Sequence, residues 1–346
     1  MQRHITAPGP LHDGQGRLIE TGYATSLIKE YDRKKIAANR LRVKEWDYYC
    51  VTSDRYALAL TIADNGYMYM DSVSLLDFDN NRQSTASKIS LPFGKRALPP
   101  TSVRGDIRVS GKDYEMVFEN DGKKRRLYGR MDRFPTGGAQ AAPLVFDVTL
   151  TDPPRDSMVI VTPFAHKPRA FYYNQKINCL RAEGKVTHGN REFLFAPAHS
   201  FAVLDWGRGV WTYENTWYWG SASGLAGGVP FGFNIGYGFG DTSAASENML
   251  FYDGKAHKLS RVTFEIPMKD GREDYLSPWR FTSDDGRFEM AFQPVMDRSA
   301  DIDLKLLRSD QHQVFGRFTG TAVLDDGTPV QIQNFLGFAE KVHNKW

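Results

Sequence analysis

Five Asp-Gly or Asn-Gly pairs constrain the fold of this chain more than any other feature of its sequence. They are Asn65-Gly66, Asp121-Gly122, Asp253-Gly254, Asp285-Gly286 and Asp326-Gly327, and each stands between segments in which apolar and polar residues alternate. Such dipeptides between alternating segments are the strongest short-range signal for a β-hairpin. Aromatic residues, which favour strands, make up 13% of the chain, and its 31 glycines favour turns and bulges. The sequence therefore predicts an all-β protein built from antiparallel hairpins.

One segment near the N-terminus has helical spacing instead. In residues 25–36, Tyr31 follows Ile28 by three positions and Leu27 by four, which places the three side chains on one face of a helix. We therefore expect a short amphipathic helix there.

A weak internal repeat suggests two similar units. Residues 115–118 read Glu-Met-Val-Phe and residues 289–292 read Glu-Met-Ala-Phe, an offset of 174 in a chain of 346 residues. The same offset relates Phe78-Asp79 to Tyr252-Asp253. The stretch 150–156, rich in proline and charge, is a natural connection. This predicts domains 1–160 and 161–346, each with enough strands to close a β-barrel.

Charge and composition exclude several classes of function. The 44 basic and 41 acidic side chains nearly cancel, and they form no long run of one sign, so nucleic acid is not an expected partner. No apolar stretch is long enough to span a membrane, and the N-terminus lacks an apolar signal core, so we expect a cytoplasmic protein. Cys50 and Cys179 lie outside any motif, which fits a reducing compartment and excludes a cysteine zinc site.

Common catalytic motifs are absent from the sequence. The eight histidines show no His-x-His or His-x-x-x-His spacing, there is no Gly-x-Ser-x-Gly elbow, and the Gly-x-Gly pairs lack the strand, turn and helix order of a dinucleotide site. We therefore expect neither a metal nor an organic cofactor. His199 precedes Asp205 by six residues, so the two would share a strand face and could transfer protons, or His199 could be a core histidine.

Residues 198–253 differ from the rest of the chain in residue type. Four of the seven tryptophans fall within fourteen residues of this segment, interleaved with charged and amide side chains. The tryptophans could fill a barrel core, with Asp205 and Arg208 paired at one end. Alternatively the segment lines a ligand site. Unpaired charges are costly to bury in an aromatic core, whereas an aromatic cavity with a few converging polar groups is typical of ligand sites. We expect Trp217 and Trp219 to share one strand face.

Residues 232–241 alternate glycine with larger side chains, which lets a ligand or another backbone approach one strand face closely. Asp241 either ends this strand in a turn or belongs to the site, whereas Glu247 and Asn248 are expected to point inward. The candidate ligand-binding residues are Trp206, Arg208, Trp211, Asn215, Trp217, Trp219, Asn234, Tyr237 and Asn248. The candidate catalytic residues are His199, Asp205, Glu214, Asp241 and Glu247.

Several strings carry a family resemblance, namely DWGRGVW, WYWGSASG, FGFNIGYGFGD, ENMLFYDGKAHKL and the C-terminal DDG with GFAEKV. Over nearly its whole length the chain resembles a bacterial family known only as a domain of unknown function. In layout it is similar to the tandem-lipocalin group that includes hydroxyneurosporene synthase, tocopherol cyclase and AttH-like proteins. That resemblance implies two tandem lipocalin-like, or calycin, antiparallel β-barrels.

The wider group also implies a chemistry. Its enzymes protonate an alkene, or hold a reactive chain for cyclisation, on apolar isoprenoid or polyketide substrates without an organic cofactor. The corresponding acids here would be Asp205, Glu214, Asp241 and Glu247, each with a pKa raised by an aromatic pocket. The indoles would stabilise a developing cation through their π faces.

Three functions remain open from the sequence. The first is a hydratase, cyclase or isomerase acting on a hydrophobic, isoprenoid or lipid-like substrate. The second is a lipocalin-type protein that binds a lipid or pigment without turnover. The third is a carbohydrate-active protein, because tryptophan, carboxylate and amide side chains also form sugar-binding surfaces.

Overall fold

The computed structural model describes residues 2–93, 96–137, 140–303 and 308–345, which form 26 strands. In chain order these are β1 (Gly9–Pro10), β2 (Gly22–Ala24), β3 (Lys29–Glu30), β4 (Val43–Thr52), β5 (Tyr56–Asp64), β6 (Tyr69–Asp77), β7 (Arg82–Ser90), β8 (Ile107–Gly111), β9 (Tyr114–Asn120), β10 (Arg125–Pro135), β11 (Ala141–Thr151), β12 (Met158–Phe164), β13 (Lys167–His188), β14 (Arg191–Phe195), β15 (Phe201–Val210), β16 (Glu214–Ala226), β17 (Val229–Tyr237), β18 (Met249–Tyr252), β19 (Lys255–Lys258), β20 (Val262–Glu265), β21 (Met268–Lys269), β22 (Arg272–Glu273), β23 (Trp279–Ser283), β24 (Phe288–Asp303), β25 (Arg308–Val323) and β26 (Pro329–Lys345).

Two curled sheets contain most of these strands, and pairing within both is antiparallel. The first sheet has the order β7-β6-β5-β4-β15-β13-β11-β10-β9-β8, with β12 and β14 also paired to β13, and β2 paired to β12. The second has the order β19-β18-β17-β16-β26-β25-β24-β23-β20. Two further pairs, β1 with β3 and β21 with β22, stand outside them. The all-β prediction, with two lipocalin-like sheets in tandem, is confirmed.

All five predicted turns connect neighbouring strands of a hairpin. They join β5 to β6, β9 to β10, β18 to β19, β23 to β24, and β25 to β26. The glycine of each pair has a positive φ, from 66° at Gly286 to 91° at Gly122, a conformation that glycine adopts without steric cost.

The predicted N-terminal helix is wrong. The segment is largely extended, with β3 at Lys29–Glu30 and a single 3₁₀ turn at Arg33–Lys35. The core of the first sheet still contains or contacts the side chains of Leu27, Ile28 and Tyr31. They reach it from an extended segment in which β3 pairs with β1. Tertiary packing thus buries the same three side chains without the helix that their spacing predicts. A second 3₁₀ turn follows at Arg40–Arg42.

The two sheets share one strand order. Strands β4 to β7 and β8 to β11 occupy the places in the first sheet that β16 to β19 and β23 to β26 occupy in the second, which has β20 as an additional edge strand. The starts of β9 at Tyr114 and β24 at Phe288 lie 174 positions apart. Strands β12 to β15 extend the first sheet between β4 and β11, so the last strand of the first sheet and the first strand of the second are separated by residues 211–213. The division into domains 1–160 and 161–346 stays a prediction.

Strand β15 lies at the centre of the molecule. All ten of its residues are buried, because one face lines the core of the first sheet and the other is covered by the second sheet. Such two-sided burial sets β15 apart from strands that alternate between core and solvent. Among the described residues, no helix reaches the length and apolar character that crossing a lipid bilayer requires.

Candidate functional site

Strand β15 presents two chemically different faces. The pleat turns Asp205 and Gly207 toward the second sheet, and Trp206 and Arg208 into the interior of the first sheet. At Gly207 the indole of Trp46 covers the backbone so closely that any side chain would overlap it. The candidate site lies between the two sheets, on the face of β15 that carries Asp205.

A buried ion pair forms the centre of the site. Lys176 Nζ of β13 lies 2.8 Å from Asp205 Oδ2, and Asn174 Nδ2 donates to Asp205 Oδ1 over 2.6 Å. The same ammonium group lies 3.8 Å from the centre of the Trp219 ring, which belongs to the second sheet. The desolvation cost of a buried pair is reduced here because Asp205 also accepts from Asn174 and the ammonium group also contacts the Trp219 ring. Lys176 thus joins the two sheets.

Glu247 approaches the ion pair from the loop that follows β17. Trp219 Nε1 donates to Asn234 Oδ1 over 2.7 Å, and Asn234 Nδ2 in turn donates to Glu247 Oε2 over 3.3 Å. The missing side chain at Gly236 leaves room for the Glu247 carboxyl. Burial raises the pKa of this carboxyl, although the positive charge of Lys176 opposes the shift.

Glu340 of β26 supplies a third carboxyl. Trp217 Nε1 donates to Glu340 Oε1 and Gln313 Nε2 donates to Glu340 Oε2, each over 3.0 Å. Burial raises the pKa of Glu340 to about 7, while the Trp217 hydrogen bond and the Lys176 charge oppose the shift and Asp205 adds to it. A carboxyl group with that pKa can donate or accept a proton near neutral pH. We refer to Lys176, Asp205, Glu247 and Glu340 as the acid cluster.

Tyr172 shows that the three carboxyl groups share one neighbourhood. Burial raises the pKa of its hydroxyl well above the usual value, and the charges of Glu247, Asp205 and Glu340 all raise it further. A hydroxyl in that environment stays protonated, so it can donate a hydrogen bond toward the acid cluster.

The ring of Tyr172 also belongs to an aromatic cluster, formed with Trp46, Trp211, Trp217 and Phe239. Tyr172 stacks on Trp46 with ring centres 6.1 Å apart, and Phe239 lies 4.7 to 5.5 Å from the rings of Trp211, Tyr172 and Trp217. The three tryptophans are only partly buried, so the cluster extends from the acid cluster to the surface. Apolar walls with a few converging polar groups are typical of small-molecule sites.

Six residues predicted from the sequence lie in these clusters or bond to them. They are Asp205, Trp211, Trp217, Trp219, Asn234 and Glu247. Sequence reasoning missed Trp46, Tyr172, Lys176 and Glu340, because these residues lie outside 198–253 on β4, β13 and β26. One signal was present for Glu340, which stands alone as a charge between Phe338 and Val342 on one strand face.

Three predicted catalytic residues lie elsewhere. Glu214 is 53% exposed, with its carboxyl 3.3 Å from His343 and 3.7 Å from Lys345. Asp241 ends its segment in a turn, where its Oδ1 accepts from the backbone N–H of Ser243. His199 lies in an exposed turn before β15, so the prediction that it shares a strand face with Asp205 is wrong.

Three predicted ligand-binding residues make local contacts. The side chain of Asn215 bonds to Thr212 over 2.8 and 2.9 Å and closes a turn. Asn248 bonds to two backbone groups of neighbouring segments over 2.7 Å each. Tyr237 stacks on Tyr218 at 4.5 Å.

Trp206 and Arg208 face away from the acid cluster, into the first sheet. Arg208 is fully buried and donates to Asp47 Oδ1 over 3.0 Å, so the ion pair expected between Arg208 and Asp205 does not form. Their role as ligand-binding residues of this site stays a prediction.

The ligand sets that hold metal ions in proteins combine histidine, cysteine and carboxylate side chains. In residues 2–93, 96–137, 140–303 and 308–345, no three histidine, cysteine, aspartate or glutamate side chains are placed to hold an ion. Cys50 and Cys179 are both buried and free.

Several solved structures share this fold. Kievitone hydratase from Nectria haematococca matches with a TM-score of 0.53 and 14% identity, over 87% of this chain and 88% of its own. An AttH-like protein from Nitrosomonas europaea matches with a TM-score of 0.55 and 16% identity, over 90% of this chain and 96% of its own. CghA matches with a TM-score of 0.51 and 11% identity, over 98% and 97%.

At these identities the structures share a fold and do not establish an activity. The comparison with curated proteins gives no match. One family model, described as a domain of unknown function, matches residues 2–346. Because that match spans nearly the whole chain, the protein belongs to the DUF2804 family.

Proposed function

We propose that the protein is a proton-transfer enzyme, a hydratase, cyclase or isomerase that acts on a hydrophobic, unsaturated small molecule at the acid cluster. One observation carries the proposal. The indole of Trp217 belongs to the aromatic cluster and also donates to Glu340, which places a buried carboxyl group at the inner end of an apolar surface. An enzyme that protonates an alkene needs this combination of an acid and a nonpolar wall.

Glu340 is the proposed acid. Its carboxyl proton passes to one alkene carbon. The π electrons of the alkene form the new C–H bond, the O–H bond of Glu340 breaks, and a cation remains on the adjacent carbon. Trp217 presents its ring to that cation, whereas the face of Trp219 is already covered by Lys176. The chain's own residues supply the proton, so this step needs no cofactor.

The cation then has three fates. In a hydratase it takes up water, whose released proton passes to a carboxylate of the cluster. In a cyclase it is attacked by another double bond of the same molecule, and in an isomerase it loses a different proton. Glu247 is the proposed acceptor, because it lies on the same side of β15 and is linked through Asn234 and Trp219 to the ion pair. The charges of Lys176 and Asp205 act on both carboxyl groups: Lys176 lowers the pKa of each, and Asp205 raises it.

The test is turnover of unsaturated substrates. Purified protein is incubated with isoprenoid and unsaturated lipid extracts, and mass spectrometry detects a gain of one water or a new isomer. Glu340→Gln keeps the volume of the side chain but cannot donate a carboxyl proton. We expect it to lower turnover by at least about 100-fold.

Glu192→Gln is the matched control, since Glu192 is exposed and pairs with Lys185 at the surface. Equal turnover by the Glu340→Gln variant and wild type would overturn the assignment. Recovery of an unchanged apolar ligand from the purified protein, with no turnover of any extract, would instead support a lipid- or pigment-binding protein. The partly exposed aromatic cluster is compatible with that function as well.

A further inference from the structure

Three large apolar side chains are exposed where β7 ends. Phe93 is 89% exposed, Ile89 63% and Leu91 62%, and the three lie within five residues of sequence. Single exposed apolar side chains are ordinary, whereas several together are typical of a protein or membrane interface. Strand β7 is also an edge strand of the first sheet. The end of β7 is therefore a candidate docking surface.

The register of the first sheet connects this surface to the aromatic cluster. Ile89 pairs with Met70 on the next strand, and Met70 pairs with Ala63. Ala63 pairs in turn with Trp46, whose ring belongs to the aromatic cluster. Directly paired residues point to the same face of a sheet, and neighbouring strands lie about 4.8 Å apart, so the row spans about 14 Å. An apolar row thus leads from the aromatic cluster to β7.

The segment that precedes β4 is basic and lies at the same end of the sheet. Residues 33–44 contain six basic side chains and no acidic one. Three of them are exposed, namely Lys34, Lys35 and Arg40. Arg33 holds the segment in place, because it bonds to Glu45 of β4 and to Asp64 of β5. Asp64 lies in the same cross-strand row as Ser90, the last residue of β7. Positive charge therefore surrounds the end of the sheet where β7 stops.

The loop after β15 adds aromatic side chains to this end. The backbone N–H of Trp211 donates to the carbonyl of Arg42 over 3.2 Å. The guanidinium carbon of Arg42 lies 5.5 Å from the centre of the Tyr213 ring, and Lys345 Nζ lies 5.8 Å from it. Glu214 brings one negative charge, 3.7 Å from Lys345. Tyrosine and tryptophan beside basic side chains are typical of proteins at the boundary between lipid headgroups and acyl chains.

We propose that this end of the first sheet, formed by residues 33–44, 89–93 and 211–213, docks on a lipid bilayer that contains anionic headgroups. The side chains of Ile89, Leu91 and Phe93 enter the acyl boundary, and the basic side chains of 33–44 contact the headgroups. A bilayer satisfies the apolar and the basic groups together, whereas a symmetric second copy of this chain would place like charges against each other.

Docking goes beyond the proposed function and is measured without turnover, so either can fail while the other stands. The two fit together, because the aromatic cluster reaches the surface at the docking end. An apolar molecule dissolved in the bilayer then reaches the cluster without crossing water.

Sedimentation with lipid vesicles tests the surface. Vesicles of phosphatidylcholine are compared with mixed vesicles that also contain phosphatidylglycerol, at one lipid concentration and low ionic strength. We expect wild type to bind the mixed vesicles more tightly and to be released as sodium chloride is raised, because salt screens the attraction. No binding to the mixed vesicles at low ionic strength would overturn the proposal.

Two variants separate the apolar from the electrostatic part. Leu91→Ser/Phe93→Ser removes two exposed apolar side chains, so we expect unchanged stability and a vesicle partition coefficient at least about tenfold lower. Arg40→Gln should lower the partition coefficient about fivefold on the mixed vesicles and change it little on phosphatidylcholine alone.

Leu194→Ser and Lys185→Gln are the matched controls. Leu194 and Lys185 are exposed and lie opposite each other on β14 and β13, toward the other end of the first sheet. Both controls should bind vesicles as wild type does. If Leu91→Ser/Phe93→Ser and Arg40→Gln also bind as wild type does, the end of β7 does not dock on lipid. A dimer found by sedimentation equilibrium without lipid, and dissociated by Leu91→Ser/Phe93→Ser, would also overturn the proposal and make this surface an interface between two copies.

Discussion

At the scale of single residues, Glu340 makes the free energy of unfolding depend on pH. Its pKa rises from 4.5 to about 7 on folding, so between those values the folded state holds a proton that the unfolded state has released. The free energy of unfolding then falls as the pH rises through this interval. Because one pKa unit corresponds to about 1.4 kcal/mol, the loss reaches up to about 3 kcal/mol above neutral pH.

Glu340→Gln should remove this dependence. A glutamine stays neutral at every pH and can still accept from Trp217, so the variant should be more stable than wild type at about pH 8 and closer to it at about pH 5. Urea unfolding across that range measures the difference. Glu192→Gln is again the control. If the free energies of unfolding of wild type and Glu340→Gln change in parallel with pH, Glu340 does not titrate in this interval.

At the scale of single elements, β15 depends on having no side chain at Gly207. The Trp46 ring occupies the space that a β-carbon would need, and it continues from there into the aromatic cluster. Gly207→Ala should push the indole outward and lower the free energy of unfolding by about 1 to 3 kcal/mol, as overpacking does. Acrylamide quenching of tryptophan fluorescence should increase as well.

Gly14→Ala is the control for that variant, because nothing lies within contact distance of a β-carbon at Gly14. Denaturant unfolding of the two variants should differ by more than about 1 kcal/mol. If Gly207→Ala proves as stable as Gly14→Ala, the position of Trp46 does not depend on the absence of a side chain at Gly207.

The elements differ in how far the sequence predicts them. The five turns could be predicted, because an Asp-Gly or Asn-Gly pair acts through its own φ angles. The helix at residues 25–36 could not, because Leu27, Ile28 and Tyr31 are buried by contacts with a distant sheet. The acid cluster was predicted in part, since Asp205 and Glu247 share the tryptophan-rich segment. Lys176 and Glu340 join them only through strand pairing.

At the scale of the whole molecule, the repeat and the sheet boundary follow from different information. The offset of 174 is visible because equivalent strands keep short similar motifs, as at Tyr114 and Phe288. The division at residues 211–213 depends on hydrogen bonds from β13 and β15 to β11 and β4. Such pairing between distant segments leaves no local signal, so the repeat alone does not show that β13 and β15 pair within the first sheet.

The two sheets are fastened to each other by Asn178, which is fully buried in β13. Its Nδ2 donates to Ser221 Oγ over 2.8 Å and to the carbonyl of Phe233 over 3.0 Å, both in the second sheet. The cores of the two sheets should therefore unfold together, since neither can lose this contact without exposing polar groups of the other. Asn178→Ala should lower the free energy of unfolding by about 1 to 3 kcal/mol.

The same substitution should also separate the two transitions. With 5-fluorotryptophan in the protein, fluorine NMR follows Trp206 in the first core and Trp279 in the second through one urea titration. In wild type the two signals should lose their folded intensity at the same urea concentration. In Asn178→Ala, Trp279 should unfold before Trp206, because the smaller second core then loses hydrogen bonds that connect it to β13. Separate transitions in wild type would show that the contact through Asn178 does not couple the sheets.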